Sequence, residues 1–435
     1  MSGQYPPDRR RASRACLRPA RRPALFVLEE HVLSPESTEI VRATLPAVGG
    51  AIGEITPLFY ETMFADHPEL ERDLFNRGNQ ASGAQRSALA GAIAAYATML
   101  VEHPGERPGA MLARISHKHA SLGITADQYK IVHGYLFRAI VQVLGDAVTP
   151  EVAAGWDEVY WLMAGELIAL EAKHYQEAGV EPGQVWQRMT VVERHRQSRD
   201  AVSFTLRPAD GGPAPAFRPG QYVSVAVRLA DGARQIRQYS LSAAPGAAAW
   251  RITVKRVHGG SGPDGEVSGR LHDHVRPGDE LTVSLPFGDL TLPEPDAEAG
   301  PDGEPPLLLA SAGIGCTPIT GILDHLVRTG STRRVTVVHG DRSPADHAHA
   351  DELAELVAAL PGGVLHRWYE EDAAGHGEAG LVDLSAVELP AGVQAYLCGP
   401  LPFMRAARAD LLRRAVPAQA VHYEVFGPDL WLAGS

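Results

Sequence analysis

The strongest constraint on how this chain can fold is a change of hydrophobic period near Gly179. Upstream, Ser34-Pro35-Glu36 offers an N-cap, a proline at the first helical position and an early acid. Apolar residues then recur at helical spacing through residues 55–64, 85–100, 110–122, 126–144 and 151–175, with no strand signal between them. Downstream, residues 192–206, 221–228, 236–242, 250–257 and 280–284 are short, β-rich and parted by Gly or Pro turns, which predicts a small antiparallel barrel. A Pro-, Asp- and Glu-rich linker follows at 292–306. Beyond it, strand patterns at 307–310, 334–339 and 393–397 alternate with helix patterns at 317–329, 350–360 and 402–414. Such alternation predicts a parallel sheet covered by helices. The expected fold class is multidomain: an all-α domain over 33–180, an antiparallel β-barrel domain over 184–296 and an α/β parallel-sheet domain over 303–435.

A chain of 435 residues needs several separately cored units, and 45% apolar with 21% charged residues is an ordinary globular balance. The 52 acidic side chains outnumber the 40 basic ones, giving a net charge of −12 that argues against a nucleic-acid partner. Residues 1–32 carry Arg9, Arg10, Arg11, Arg14, Arg18, Arg21 and Arg22 among prolines, without the apolar centre of a secretory signal, and read as a disordered extension. Cys16, Cys316 and Cys398 lie far apart and lack paired metal-ligand spacing. The apolar stretches at 90–101 and 307–323 are too short or too broken to span a bilayer. The expectation is a cytoplasmic protein with no stable membrane insertion and no obligate protein partner.

Arg237-Gln238-Tyr239-Ser240 falls in a barrel strand, where an arginine needs a reason. A diphosphate would supply one through bidentate hydrogen bonds, and so would a neighbouring carboxylate. Pro219-Gly220-Gln221-Tyr222 precedes it at the distance of an adjacent strand, and Gly265-Glu266-Val267-Ser268 opens a helix whose first amides could hold a phosphate. Further on stand Gly313-Ile314-Gly315-Cys316-Thr317-Pro318 and Cys398-Gly399-Pro400.

In that order and spacing these motifs resemble the plant ferredoxin reductase superfamily, from Arg237 through Pro400. The resemblance implies FAD held by Tyr222, Arg237, Gln238, Tyr239, Ser240, Gly265, Val267 and Ser268. It also implies NADH or NADPH held at Gly313, Gly315, Cys316, Thr317, Pro318, Cys398, Gly399 and Pro400. Glycines there would admit the dinucleotide, Thr317 would offer its hydroxyl to a phosphate, and Tyr239 would stack on the flavin. Phe426, in Glu424-Val425-Phe426-Gly427-Pro428, would cover the flavin until nicotinamide displaces it, or would merely fill space at the chain end. Asp341 beside Arg342 leaves the choice between a ribose hydroxyl and a 2′-phosphate open.

The helical region carries Leu58-Phe59-Tyr60, Leu74-Phe75-Asn76, Ala92-Ile93-Ala94-Ala95-Tyr96 and Lys118-His119. It resembles the globin of flavohaemoglobins over nearly all of 33–175, so the combined resemblance covers nearly the whole chain. It implies haem b with His119 as proximal iron ligand, Phe75 packed on the porphyrin, and Tyr60, Gln85 and Leu89 around the distal pocket. Tyr129 and Glu171 would sit beside the proximal imidazole; the residues alone allow a core aromatic and a surface acid. Gln85 alone could equally face solvent, and His117 is a rival ligand on another helix face.

The function so implied is nitric oxide dioxygenase: NAD(P)H reduces FAD, FAD reduces haem, and haem-bound O2 oxidises nitric oxide to nitrate. A phenol from Tyr60 hydrogen-bonding the bound oxygen would add roughly 1.5 to 3 kcal/mol, about 10- to 100-fold in affinity. Three alternatives remain at this level. One is a haem-dependent peroxide or hydroperoxide reductase; another is an oxygen or redox sensor; the last is a reductase whose helical part binds protein and no haem.

Overall fold

The computed structural model describes residues 33–104, 109–246, 248–259, 263–293 and 304–427. The arginine-rich start with Cys16, most of the expected linker, and Pro428 lie outside the described residues. Those described all belong to one compact unit, residues 33–435.

Seven helices come first: α1 (Pro35–Asp66), α2 (Pro68–Asp73), α3 (Arg77–Ala81), α4 (Ala84–Glu102), α5 (Gly109–Leu122), α6 (Ala126–Leu144) and α7 (Pro150–Glu177). Ser34 caps α1 as its sequence signals, accepting from the Ser37 amide. The same residue is also fixed to Glu158 of α7 through its amide (2.7 Å) and hydroxyl (2.8 Å). A helix of 32 residues running through Pro46 and Pro57 was not expected; packing against α4, α6 and α7 holds it together despite the hydrogen bonds those prolines forgo. Two helical cores result, one around Tyr96, Leu112 and Trp156, the other around Phe59, Tyr60 and Leu136.

The second region contains β1 (Trp186–Arg196), β2 (Ala201–Pro208), β3 (Tyr222–Arg228), β4 (Arg234–Ser240), β5 (Trp250–Lys255), α8 (Glu266–His274) and β6 (Glu280–Ser284). The strands pair antiparallel in the order β4-β3-β6-β1-β2-β5, and a bridge from Leu241 to Ile252 brings the two edges back together. The expected single β segment over 192–206 is in fact a hairpin. Its turn, Gln197-Ser198-Arg199-Asp200, has neither Gly nor Pro to mark it.

The third region alternates β7 (Leu307–Ala312), α9 (Cys316–Arg328), β8 (Val335–Asp341), α10 (Ala350–Ala359), β9 (Val364–Tyr369), β10 (Glu378–Ala379), β11 (Gln394–Cys398), α11 (Leu401–Arg413) and β12 (Val421–Glu424). All strands run parallel, in the order β10-β9-β8-β7-β11-β12. The order reverses between β7 and β11, which is where ligands enter open α/β sheets. Strands β9, β10 and β12 extend the expected sheet. They are short and half polar, so local pattern does not announce them.

Candidate functional site

One apolar-walled cavity of about 1410 Å³ runs from the helical region into the barrel and reaches the C-terminal tail. Its volume exceeds the 300 to 1,000 Å³ usual for a single small ligand.

At the helical end, α5 presents His119 to the cavity, with 32% of that side chain exposed. Its Nδ1 lies 2.9 Å from the Tyr129 hydroxyl on α6 and 2.9 Å from Glu171 Oε1 on α7. Tyr129 donates its own proton to Glu171 at 2.5 Å, and Glu171 is only 2% exposed. A carboxylate can only accept, so Nδ1 carries the proton and Nε2 keeps the lone pair an iron ligand needs. Burial, with Glu171 adding to it, pushes the Tyr129 phenol far above its ordinary range, so it stays a donor. The rival His117 does not line the cavity. It stacks on His174, ring centroids 3.8 Å apart, and burial drives its pKa down to about 3.

The same cavity is also walled by Tyr60, Phe75, Gln85 and Leu89. Tyr60 meets Phe75 edge to face, centroids 5.8 Å apart, and burial raises its phenol pKa while Gln85 and Gln80 beside the hydroxyl oppose the rise. Gln85 therefore faces inward. Gln80 was not anticipated: it belongs to α3 and Gln85 to α4, so no periodicity relates them.

At the barrel end Arg237, Gln238, Tyr239 and Ser240 of β4 line the cavity with Tyr222, Gly265, Val267 and Ser268. The Arg237 guanidinium donates to the Ile236 carbonyl (2.7 Å) and Gln235 Oε1 (3.4 Å), and no carboxylate hydrogen-bonds to it among the described residues. Ser240 Oγ is buried and has no hydrogen-bond partner among the described residues. The Ser268 hydroxyl is already used, donating to Gly265 O and accepting from the Val257 amide, both at 3.1 Å. Lys255 and Arg256 also line this end. They sit at and just past the end of β5, outside any motif; a cationic pair ending a barrel strand is the signal that marks them.

The nucleotide motifs gather where β7 and β11 end, but only Thr317 and Ile314 reach the cavity wall. Gly313, Gly315, Cys316, Pro318, Cys398, Gly399 and Pro400 stand outside that wall. Two of these residues have contacts within the protein itself. Gly315 is required by the protein itself, since a Cβ there would lie 2.2 Å from the Cys398 carbonyl oxygen. Thr317, 2% exposed, commits its hydroxyl to the Ile314 carbonyl at 3.0 Å. Cys316 is fully buried, its thiol donates to Ala348 O, and burial pushes its pKa up to about 12, so it is inert. Arg342 is engaged by Asp346 through two contacts of 3.0 Å. Phe426 borders the cavity with 45% exposure, and Lys118 of α5 donates to the Gly427 carbonyl at 2.6 Å.

The residues fit two bound groups. A lone-pair imidazole, a phenol and flat apolar walls suit a haem at one end. A guanidinium with no carboxylate hydrogen-bonded to it and a serine hydroxyl with no partner among the described residues suit a phosphorylated flavin at the other. Such a pocket, on one chain with a nucleotide-type sheet, defines a haem protein with its own reductase.

Family models match in the same places: globin over residues 58–167, oxidoreductase FAD-binding domain over 188–292 and oxidoreductase NAD-binding domain over 309–409. A flavohemoprotein of Rhizobium meliloti is 40% identical over 412 residues, covering 92% of this chain and 100% of the relative. A crystal structure of flavohemoglobin from Malassezia yamatoensis with bound FAD and heme superposes with a TM-score of 0.82 at 36% identity, covering 91% of this chain and all of that one. The FAD/NAD-binding domain of nitric oxide dioxygenase from Vibrio cholerae gives 0.52 at 36% identity, covering 56% of this chain and all of that one. The chain belongs to the flavohemoprotein family, an oxidoreductase with haem, FAD and a nicotinamide nucleotide as cofactors.

Proposed function

We propose that this chain is a nitric oxide dioxygenase: it converts nitric oxide and dioxygen to nitrate with electrons from NADH or NADPH, in the cytoplasm where that supply lies. The observation that carries the reading is the one cavity shared by His119 with its Tyr129–Glu171 support, by Tyr60, and by the Arg237 strand. The name borne by the similar Vibrio cholerae domain supports it. Bound haem and FAD supply oxygen binding at iron and the conversion of hydride to single electrons.

The protein's own part is positioning and electrostatics. His119 Nε2 would hold the iron, while Glu171 and Tyr129 on Nδ1 fix the ring and would make it more electron-donating. Tyr60, kept protonated by burial and assisted by Gln85, would offer its hydroxyl as a donor on the cavity side of the haem site. Leu89 and Phe75 keep the rest apolar, which suits a small neutral co-substrate. Arg237, Ser240, Tyr239 and the start of α8 would hold the flavin, and Phe426 would cover it. The test is anaerobic reduction by NADH followed by oxygen and nitric oxide, with nitrate measured. The expected result is nitric oxide consumption coupled to NADH oxidation. NADH oxidation driven by peroxide, with no nitrate formed from nitric oxide, would replace this reading with that of a peroxide reductase.

A further inference from the structure

Gln235 of β4 has no exposed surface. Its Nε2 donates to the carbonyls of Phe75 (3.1 Å), Arg72 (3.1 Å) and Glu71 (3.4 Å) in the helical region. Its Oε1 accepts from the Arg77 amide (3.2 Å) and from Arg237 NH1 (3.4 Å). The short helix α2 ends at Asp73, so the Glu71 and Arg72 carbonyls have no partner within it. A barrel side chain thus caps a helix of the haem-side region, alongside Arg234, whose guanidinium donates to the Asp73 carbonyl at 3.3 Å. The same amide touches the guanidinium expected on the flavin diphosphate and the backbone of the phenylalanine that meets Tyr60 edge to face.

From this juxtaposition we infer that Gln235 is a positioning residue that couples flavin occupancy at Arg237 to the geometry of the Phe75–Tyr60 corner. A planar amide with both ends saturated transmits displacement with little slack. A guanidinium drawn toward a diphosphate pulls on Oε1, and the opposite end of the same amide holds the carbonyl of Phe75. The inference rests on haem and FAD occupying the two ends of the cavity. It does not depend on nitric oxide being the substrate.

The test uses full-length ferrous protein with carbon monoxide as probe, with FAD bound and after FAD removal. In the unsubstituted protein, carbon monoxide affinity should differ by about fivefold or more between the two states, and the bound C–O stretching band should shift. Gln235→Leu should bring the ratio close to one and abolish the band shift. Gln235→Glu keeps the acceptor for Arg77 and Arg237 but replaces the donor to the three carbonyls, and should do the same; it decides the matter if the leucine variant takes up no haem. Asp231→Ala breaks the exposed pair with Arg77, whose Asp231 contacts measure 2.8 Å, and the local turn bond from the Ala233 amide, without touching Gln235, and should preserve the ratio. An unsubstituted protein without flavin dependence, or a Gln235→Glu variant that retains it, overturns the inference. Arg237→Ala should weaken FAD retention; if it does not, the underlying flavin assignment fails separately.

Discussion

Removing the Glu171 carboxylate separates its proposed role on the imidazole from its role in stability. Glu171 accepts from His119 Nδ1 at 2.9 Å and from Tyr129 at 2.5 Å. Two hydrogen bonds to a charged group are worth roughly 3 to 6 kcal/mol together. Keeping a carboxylate ionised at 2% exposure costs several kcal/mol, so the two terms largely offset. Glu171→Gln, which retains the shape and one acceptor oxygen, should therefore change unfolding free energy by only about 1 kcal/mol. The imidazole, however, loses its anionic acceptor outright, and loss of such a partner typically lowers metal affinity or activity about 10- to 100-fold. Resonance Raman of the ferrous protein should show the iron–histidine stretch at lower frequency, and nitric oxide turnover should fall within that range. An unshifted stretch with normal turnover would refute the argument, because the carboxylate would then be no more than a buried structural group. A large stability loss with an unshifted stretch would refute it too.

Tyr60→Phe preserves the ring packing against Phe75 but removes the donor, so oxygen should dissociate about 10 to 100 times faster by stopped flow. Gly315→Ala puts a Cβ against the Cys398 carbonyl, so urea unfolding should show a loss of about 1 to 3 kcal/mol. Gly269→Ala, in open space within α8, should be neutral or stabilising by comparison. Asp346 is held at about 2, first by its hydrogen bonds from Arg342. Its folded value is depressed, so its contribution is complete above about pH 4 and is lost as pH falls through about 2, on the order of 2 kcal/mol. Asp346→Asn should lose that contribution at neutral pH and flatten the acid limb of a urea-unfolding series.

The sequence disclosed what depends on near neighbours and hid what depends on distant ones. The switch of period near Gly179 separated helices from barrel because amphipathic burial repeats locally. The linear motifs led to His119, Tyr60 and Arg237, each of which lines the cavity. What the motifs do not announce is the part that some of their residues play within the protein itself. Gly315 answers to a carbonyl on β11, 83 positions away in sequence as the numbers 315 and 398 give, and Thr317 to the turn it sits in. Gln80 and Gln235 were passed over for the complementary reason. A polar side chain in a short helix or an edge strand looks solvated until a second segment closes over it, and Gln235 is buried only because α2 and the Phe75 corner lie against β4. Motifs therefore locate the reacting centre in such a chain, whereas the side chains that fix one centre relative to another become visible only in three dimensions.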